Sequence, residues 1–169
     1  MSRSLSTYTI KIGGEVLSDE FGIQSLVVTK EVGKIPTARL VIADGDVAKQ
    51  EFKASNQAYF IPGNEIEIWL GYDSEETSVF KGIITKHRLS IEAKGDDFLY
   101  VECKDIAVKT SVGKKSKYFY NLTDQEVMEE ILGDYSIENE VESTDVQYEE
   151  LVQYYCTDWD FILLSLIHI

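Results

Sequence analysis

The sequence contains few of the residues that build common chemical sites: two Cys, two His and two Pro among 169 residues. The histidines, His87 and His168, and the cysteines, Cys103 and Cys156, lie far apart along the chain, and no Cys-x-x-Cys or His-x-x-x-His spacing occurs. A zinc site needs several such ligands close together, so we expect no metal site. The N-terminus also lacks the apolar segment of a secretory signal. We therefore expect synthesis in the cytoplasm, with both thiols reduced and buried.

Basic residues are scarce: 16 Lys and Arg stand against 30 Asp and Glu, a formal net charge of −14. Such a surface repels nucleic-acid phosphates and anionic lipids, so we expect neither as a partner. No run approaches the ~18–20 apolar residues that a membrane-spanning helix needs. The one basic cluster, residues 109–117, is predicted to be a solvated loop.

Motifs of catalysis and cofactor binding are missing as well. There is no Gly-x-Ser-x-Gly turn, and Gly113-Lys114 lacks the earlier glycine of a phosphate-binding loop. Asp44-Gly45-Asp46 lacks the later ligands of a calcium loop. Acidic pairs such as Glu149-Glu150 are frequent, but neighbouring residues on a strand point to opposite faces. The residues therefore predict no catalytic residue, no cofactor and no metal.

Residues 1–105 have the alternating pattern of β-strands. Gly13-Gly14 joins two alternating segments and predicts a tight hairpin, because glycine readily takes the positive φ that such turns need. Strands are also predicted at residues 23–32, where Gly33 ends the strand, and at residues 65–70. Two further strands are predicted to have one apolar face each. These are Thr37–Ala43, with Ala38, Leu40 and Ile42 inward, and Phe98–Asp105, with Leu99, Val101 and Cys103 inward.

A long strand is predicted at residues 79–91, with Val79, Ile83, Leu89 and Ile91 facing one side. Gly82 is the predicted position of a bulge or of a close approach of another backbone. Residues 47–54 predict a short helix. Six or so short strands indicate a sandwich or a closed barrel, and long strands with internal glycine favour the barrel.

The pattern changes after Asp105. Residues 123–133 predict a helix that starts with a capping box of Thr123 and Glu126 and ends at Gly133 in a left-handed conformation. Residues 138–148 are acidic and predict an exposed link. The chain then reads as a strand followed by a helix capped by Thr157 or Asp158, which is strongly apolar and short for a helix that stands alone.

Several blocks together resemble the VgrG spike proteins of type VI secretion, which are similar to the hub proteins of contractile phage tails. Their order and spacing carry the resemblance, which covers nearly residues 5–164. The blocks are the N-terminal hairpin, the strand Thr37–Ala43 after Pro36, Pro62-Gly63 before residues 65–68, Phe80-Lys81-Gly82-Ile83-Ile84, the helix at 123–133, and Val152-Gln153-Tyr154 before Asp158-Trp159-Asp160-Phe161.

The resemblance implies a mainly β protein with minor α content: an antiparallel β-barrel of the tail-hub type with one or two short helices. Residues 1–105 would be the hub barrel, residues 106–150 a connecting segment, and residues 151–169 the truncated start of a second hub domain. The family forms homotrimers that join a tail tube to a spike, contact baseplate components and lack catalysis in this region. The assembled apparatus would export the protein.

Exposed apolar groups mark interfaces, and we predict that Trp69, Trp159 and Phe161 contribute to contacts between subunits. Residues 165–169 depart from the family pattern, which continues as a charged helix, and we expect them not to be the natural continuation. A chain without the later domains is expected to be monomeric or loosely associated. The alternative function is an acidic β-sandwich carbohydrate-binding module or a glycoside hydrolase fragment.

Overall fold

A computed structural model describes residues 6–44, 54–73, 75–91 and 97–166, with side chains up to Leu164. Contacts divide the chain into two compact units, residues 1–105 and residues 106–169. The first unit covers the residues predicted to form the hub domain, and their role as a hub stays a prediction. The predicted short helix at residues 47–54 lies outside the described residues except for its last position.

The first unit is an antiparallel seven-stranded sheet with the strand order β2-β1-β5-β6-β7-β4-β3. A 3-10 turn at Ala58–Phe60 precedes β5. The strands are β1 (Ser6–Ile12), β2 (Glu15–Val16), β3 (Gly22–Thr29), β4 (Thr37–Ala43), β5 (Glu65–Tyr72), β6 (Glu75–Ser90) and β7 (Phe98–Asp105).

The predicted hairpin and strand faces are confirmed in most of this sheet. Gly13 and Gly14 take φ values of +60° and +84° between β1 and β2, as a two-residue hairpin turn requires. β4 and β7 have the predicted bounds, and their predicted inward residues are buried. The alternation of apolar and polar residues was therefore sufficient to orient these strands.

β6 contradicts the predicted face at Val79 and Ile83, because Phe80 and Ile84 are the buried side chains. Two register shifts interrupt β6, one in its pairing with β5 and one between Ile84 and Lys86 in its pairing with β7. Each irregularity inserts a residue and reverses the alternation beyond it. The prediction assumed that side chains alternate without interruption along the whole strand. It therefore assigned Val79 and Ile83 to the wrong face.

Gly82 confirms the predicted close approach. A Cβ atom at this position would lie 2.2 Å from the carbonyl oxygen of Lys104 on β7. Real Cβ atoms do not tolerate such a distance to backbone. Glycine at this position therefore permits β6 and β7 to pair without displacement.

The inward residues of all the longer strands pack into one apolar cluster with Phe21, Ala54 and Phe60. A small cleft of about 50 Å³ is lined by Tyr8 and Ile10 of β1 and by Ile23 of β3, which places the two ends of the sheet around the same core. The fold is therefore mainly β with antiparallel pairing, as predicted. Closure into a barrel is not found, since no pairing joins β2 to β3 among the described strands.

The second unit combines a two-stranded antiparallel ribbon with two short helices. It consists of a 3-10 helix (Ile106–Ser111), β8 (Lys115–Thr123), α1 (Asp124–Gly133), β9 (Gln147–Cys156) and α2 (Asp158–Leu166). Phe119, Val127, Met128, Ile131, Phe161 and Ile162 form its core. Residues expected to form a connecting segment and the start of another domain thus share one core. None of the described helices has the length and apolar character needed to cross a bilayer.

The start of α1 is as predicted and its end is not. Thr123 Oγ1 accepts from the Glu126 N–H at 3.3 Å, while the Thr123 N–H donates to Glu126 Oε2 at 2.8 Å, which completes the capping box. Gly133, however, is the last helical residue, and it is Ser136 that takes a positive φ of 55°. The right-handed turn continues past Gly133 and brings Tyr135 against the core of the unit.

Candidate functional site

A buried carboxylate organises the second unit. Asp158 is the first residue of α2 and is 2% exposed. Its neighbour Thr157 caps the helix instead, because Thr157 Oγ1 accepts from the Asp160 N–H at 3.0 Å. The Asp158 side chain therefore does not cap the helix; it points inward and bonds to other segments of the unit.

Three donors from three other segments reach Asp158. Lys115 Nζ of β8 lies 2.7 Å from Asp158 Oδ2, and the Tyr135 hydroxyl, just after α1, donates to the same oxygen. Gln153 Nε2 of β9 donates to Asp158 Oδ1 at 2.8 Å. We call Lys115, Tyr135, Gln153 and Asp158 the Asp158 cluster. It ties both strands of the ribbon and the end of α1 to the start of α2.

The charges in the Asp158 cluster stabilise one another. Burial by itself would raise the pKa of Asp158, but the hydrogen bonds from Lys115, Tyr135 and Gln153 outweigh burial and lower that pKa below its ordinary value. The hydrogen bonds to Asp158 and Tyr135 raise the pKa of Lys115. Burial and the bond to Asp158 raise the pKa of Tyr135. At neutral pH the cluster contains an ion pair between Lys115 and Asp158, and both Asp158 oxygens accept hydrogen bonds, an arrangement suited to holding a helix in place.

The Asp158 cluster was not predicted from the sequence, and the basic segment was misread. Lys115 and Lys117 lie on β8, and Lys117 pairs with Glu130 of α1 at 2.7 Å. Lys114 lies over the ring of Tyr155, with its Nζ 4.6 Å from the ring centroid. The prediction of a solvated loop is therefore wrong for residues 115–117. The sequence feature that could have indicated this cluster is the segment from Gln153 to Asp158, which is also part of the family resemblance.

The three residues predicted at an interface occupy different environments. Trp69 is half-buried on β5, with Lys11 Nζ 5.0 Å from its ring centroid. Trp159 is half-buried at the start of α2. Phe161 is 8% exposed and stacks on Phe119 at 5.7 Å, so it belongs to the core of the second unit and lacks the exposure on which its prediction relied. The role of the two tryptophans in subunit contacts stays a prediction.

One face of the ribbon presents aromatic side chains to solvent. Tyr118 and Tyr120 are 58% and 59% exposed and stack with their centroids 6.2 Å apart. Val152 lies opposite Tyr118, and Glu150 lies opposite Tyr120. Tyr154, two residues beyond Val152, is 82% exposed. We call Tyr118, Tyr120, Glu150, Val152 and Tyr154 the ribbon face; alternation through Phe119, which is buried, was the signal that could have found it.

An open apolar groove of about 480 Å³ runs along β9. Its lining includes Leu151, Val152 and Cys156 of β9 together with Phe161 of α2. Among the described strands β9 pairs with β8 alone, so its other edge offers unpaired backbone groups. The ribbon face and this groove adjoin at Val152, and together they form a candidate contact region of the second unit.

The remaining candidate residues support no chemical site. Within the described ranges no group of three or more His, Cys, Asp and Glu is placed to hold a metal ion. His87 Nδ1 lies 2.9 Å from the Phe60 carbonyl oxygen, a structural contact. Both cysteines are free, and burial, with a smaller effect of Glu102, raises the pKa of Cys103 to about 12. The Cys103 thiol is therefore poorly suited to act as a nucleophile.

The fold is similar to those of several solved tail and secretion proteins. A 43 kDa tail protein of prophage MuSo2 from Shewanella oneidensis matches 95% of this chain and 48% of its own length, at 12% identity and a TM-score of 0.66. The Escherichia coli c3393 protein is a type VI secretion component similar to the phage T4 tail proteins gp27 and gp5. The match covers 90% of this chain and 41% of the c3393 chain, at 14% identity and a TM-score of 0.66.

A third structure, the Francisella PdpA-VgrG complex, contains a chain that matches 96% of this chain and 26% of its own length, at 12% identity and a TM-score of 0.62. These identities are low, so the likeness concerns the fold. This chain spans less than half the length of each of the three structures.

No curated protein matches the chain. A family model described as "Alg8 N-terminal domain" matches residues 2–166, nearly the whole sequence. The chain belongs to the Alg8 N-terminal domain family.

Proposed function

We propose that this chain is a structural component of a contractile injection apparatus, part of the hub that joins the tube to the base of a cell-puncturing spike. The observation that carries the proposal is the fold likeness over at least 90% of the chain to a prophage tail protein and to a type VI secretion component. The ordered blocks of sequence, from the Gly13-Gly14 hairpin to Asp158-Trp159-Asp160-Phe161, point to the same class.

The organisation of the second unit fits assembly better than turnover. The residues of its Asp158 cluster bond to one another, and the one buried side-chain atom of the cluster without a partner is Gln153 Oε1. The ribbon face exposes tyrosine side chains, a residue type enriched at protein interfaces. The proposal therefore includes no catalytic role for the described residues.

The proposal includes finer features that follow from the family resemblance. The hub would work as a homotrimer, contact the tail tube protein and baseplate components, and leave the cell with the apparatus that it helps to build. In the assembled hub the two ends of the curled sheet, β2 and β3, would be closed into a barrel or covered by a neighbour, since exposed strand edges invite pairing.

A localisation experiment tests the proposal in the native cell. The gene is tagged at its own locus, contractile particles are purified, and the tag is located by immunogold electron microscopy. We expect label at one end of the particles, co-purification with tube and sheath proteins, and loss of intact particles when the gene is deleted. Particles that assemble without the protein and carry no label would refute the proposal.

Two further measurements sharpen the test. Native mass spectrometry of the protein from purified particles is expected to give a trimer. A glycan array probed with the purified chain is expected to be negative, whereas saturable binding of a defined glycan would favour the carbohydrate-binding alternative.

A further inference from the structure

We propose that the ribbon face binds a protein segment that carries Lys or Arg side chains. The inference rests on the proposed function in one respect: the partner is taken to be another component of the same apparatus. The chemistry of the partner comes from the face itself, through its exposed rings, its unpaired carboxylate and the charge of the unit around it.

The exposed rings of Tyr118 and Tyr120 form a stacked π surface. Tyr118 and Tyr120 lie nearly parallel, with an interplanar angle of 7°, and both are more than half exposed. Val152 lies beside Tyr118 across the ribbon, and Tyr154 extends the same face. Aromatic rings attract cations above their faces, and guanidinium groups stack on them especially well.

A carboxylate lies within reach of this π surface. Glu150 is directly opposite Tyr120 in the register of the ribbon, so their Cβ atoms lie roughly 5 Å apart. Glu150 is exposed and makes no hydrogen bond or ion pair with any described residue. A cationic side chain placed between the ring of Tyr120 and this carboxylate would satisfy both groups.

Three of the four lysines of the second unit are directed elsewhere. Lys115 pairs with Asp158, Lys117 with Glu130, and Lys114 lies over Tyr155. The fourth, Lys109, lies on the 3-10 helix and not on the ribbon. The cation that would complete the ribbon face is therefore taken to come from outside the unit.

The charge of the unit selects the class of partner. Residues 106–169 contain four Lys, no Arg and thirteen Asp or Glu, a formal net charge of −9. This field attracts a basic segment and repels nucleic acid. A second copy would bring the same negative charge, so self-association through this face is disfavoured.

NMR mapping with a defined peptide tests the proposal. The probe is a peptide of about eight residues in which Arg and Val alternate, which suits an extended strand. We expect it to shift the amide signals of Tyr118, Tyr120 and Val152, with an affinity that falls at least about threefold between about 50 mM and about 200 mM salt, because screening weakens exposed charge pairs. A matched peptide with Glu in place of Arg is expected to leave these signals unchanged.

Matched variants separate the face from the general charge of the protein. Glu150→Gln and Tyr120→Ala are each expected to weaken binding about threefold to tenfold, in line with a cation–π contact and a charge contact. Glu149→Gln makes the same charge change on the opposite side of the strand, and Tyr8→Ala removes an exposed tyrosine of the first unit. Both control variants are expected to bind the peptide normally. Because all four substituted side chains are exposed, each variant is expected to keep the NMR spectrum of the folded protein.

Three results would overturn the proposal: equal weakening by Glu149→Gln and Glu150→Gln, equal binding of the acidic peptide, or concentration-dependent shifts of the ribbon face without peptide. The last result would assign the face to a second copy. Failure of the peptide test leaves the particle localisation experiment unaffected, and a protein that binds the peptide but is missing from particles would refute the proposed function instead.

Discussion

The first unit buries an apolar core beneath a seven-stranded sheet, whereas the second unit holds a smaller core together with an ion pair between the buried Asp158 and the half-exposed Lys115. In the first unit the described buried polar side chains are few; Asp44 is one, and it accepts from the Ala54 and Ser55 N–H groups at 2.8 Å. In the second unit Asp158 links four segments. A large sheet can rely on buried area, while a two-stranded ribbon with short helices is marginal without additional ties.

This difference means that the two units should respond to different perturbations. The first should be sensitive to changes in packing and the second to changes in charge. Each unit contains one of the two tryptophans, Trp69 and Trp159, so variants with Trp159→Phe or Trp69→Phe report the unfolding of each unit separately by fluorescence.

The largest effect is expected for Gly82→Ala in the first unit. The new Cβ would lie 2.2 Å from the Lys104 carbonyl oxygen, and backbone atoms of a paired strand cannot rotate away. We expect a loss of about 3 kcal/mol or more in the free energy of unfolding, at the upper end for overpacked sites. Urea denaturation followed at Trp69 measures it. A loss below about 1 kcal/mol would show that β6 and β7 separate easily.

Lys115→Met tests the ion pair in the second unit. The variant keeps the aliphatic stem but leaves Asp158 buried without its cation. Removing one partner of a buried pair costs roughly 3–5 kcal/mol; because the Lys115 side chain is 42% exposed and partly screened, we expect about 2 kcal/mol. The control Lys117→Met breaks the exposed pair with Glu130 and should cost less than about 1 kcal/mol. Equal losses would contradict the special role of Asp158.

Acid should weaken the second unit through Asp158. Its pKa is lower in the folded state than the unfolded value of about 3.9. This contribution to stability is therefore present above about pH 4 and is lost as the pH falls through the folded pKa. Fluorescence of Trp159 in urea between pH 7 and pH 3 measures the loss. Asp158→Asn should show a smaller drop over the same range, and an identical drop would assign the acid sensitivity to other carboxylates.

The smallest expected effect has the opposite sign. Gly133→Ala places a methyl group on a helical residue, and apart from its chain neighbours and the helix's own backbone the new Cβ meets no atom within 4 Å. Alanine in a helix is favoured over glycine by about 0.5–1 kcal/mol, so the second unit should gain stability by that amount. A left-handed Gly133, as the sequence predicted, would instead make the same change destabilising, and thermal unfolding decides between the two.

The alternating strands and α1 could be predicted because their signals are local. In Thr37–Ala43 the apolar residues Ala38, Leu40 and Ile42 recur at every second position, and in α1 the capping residues are three positions apart. The face of β6 could not be predicted, since register shifts depend on how β5 and β7 pair with it. The burial of Phe161 depends on its stacking partner Phe119, which is distant in sequence.

The sequence by itself determined where the chain alternates, turns and caps its helices, because each of those features is decided by the conformational preferences of a few neighbouring residues. The tertiary structure alone decided that Lys115 meets Asp158, 43 positions away, and that a segment resembling a solvated loop became one strand of a ribbon. The physical reason is that burial of a charge is stable only where a distant partner compensates it, and folding brings that partner within reach.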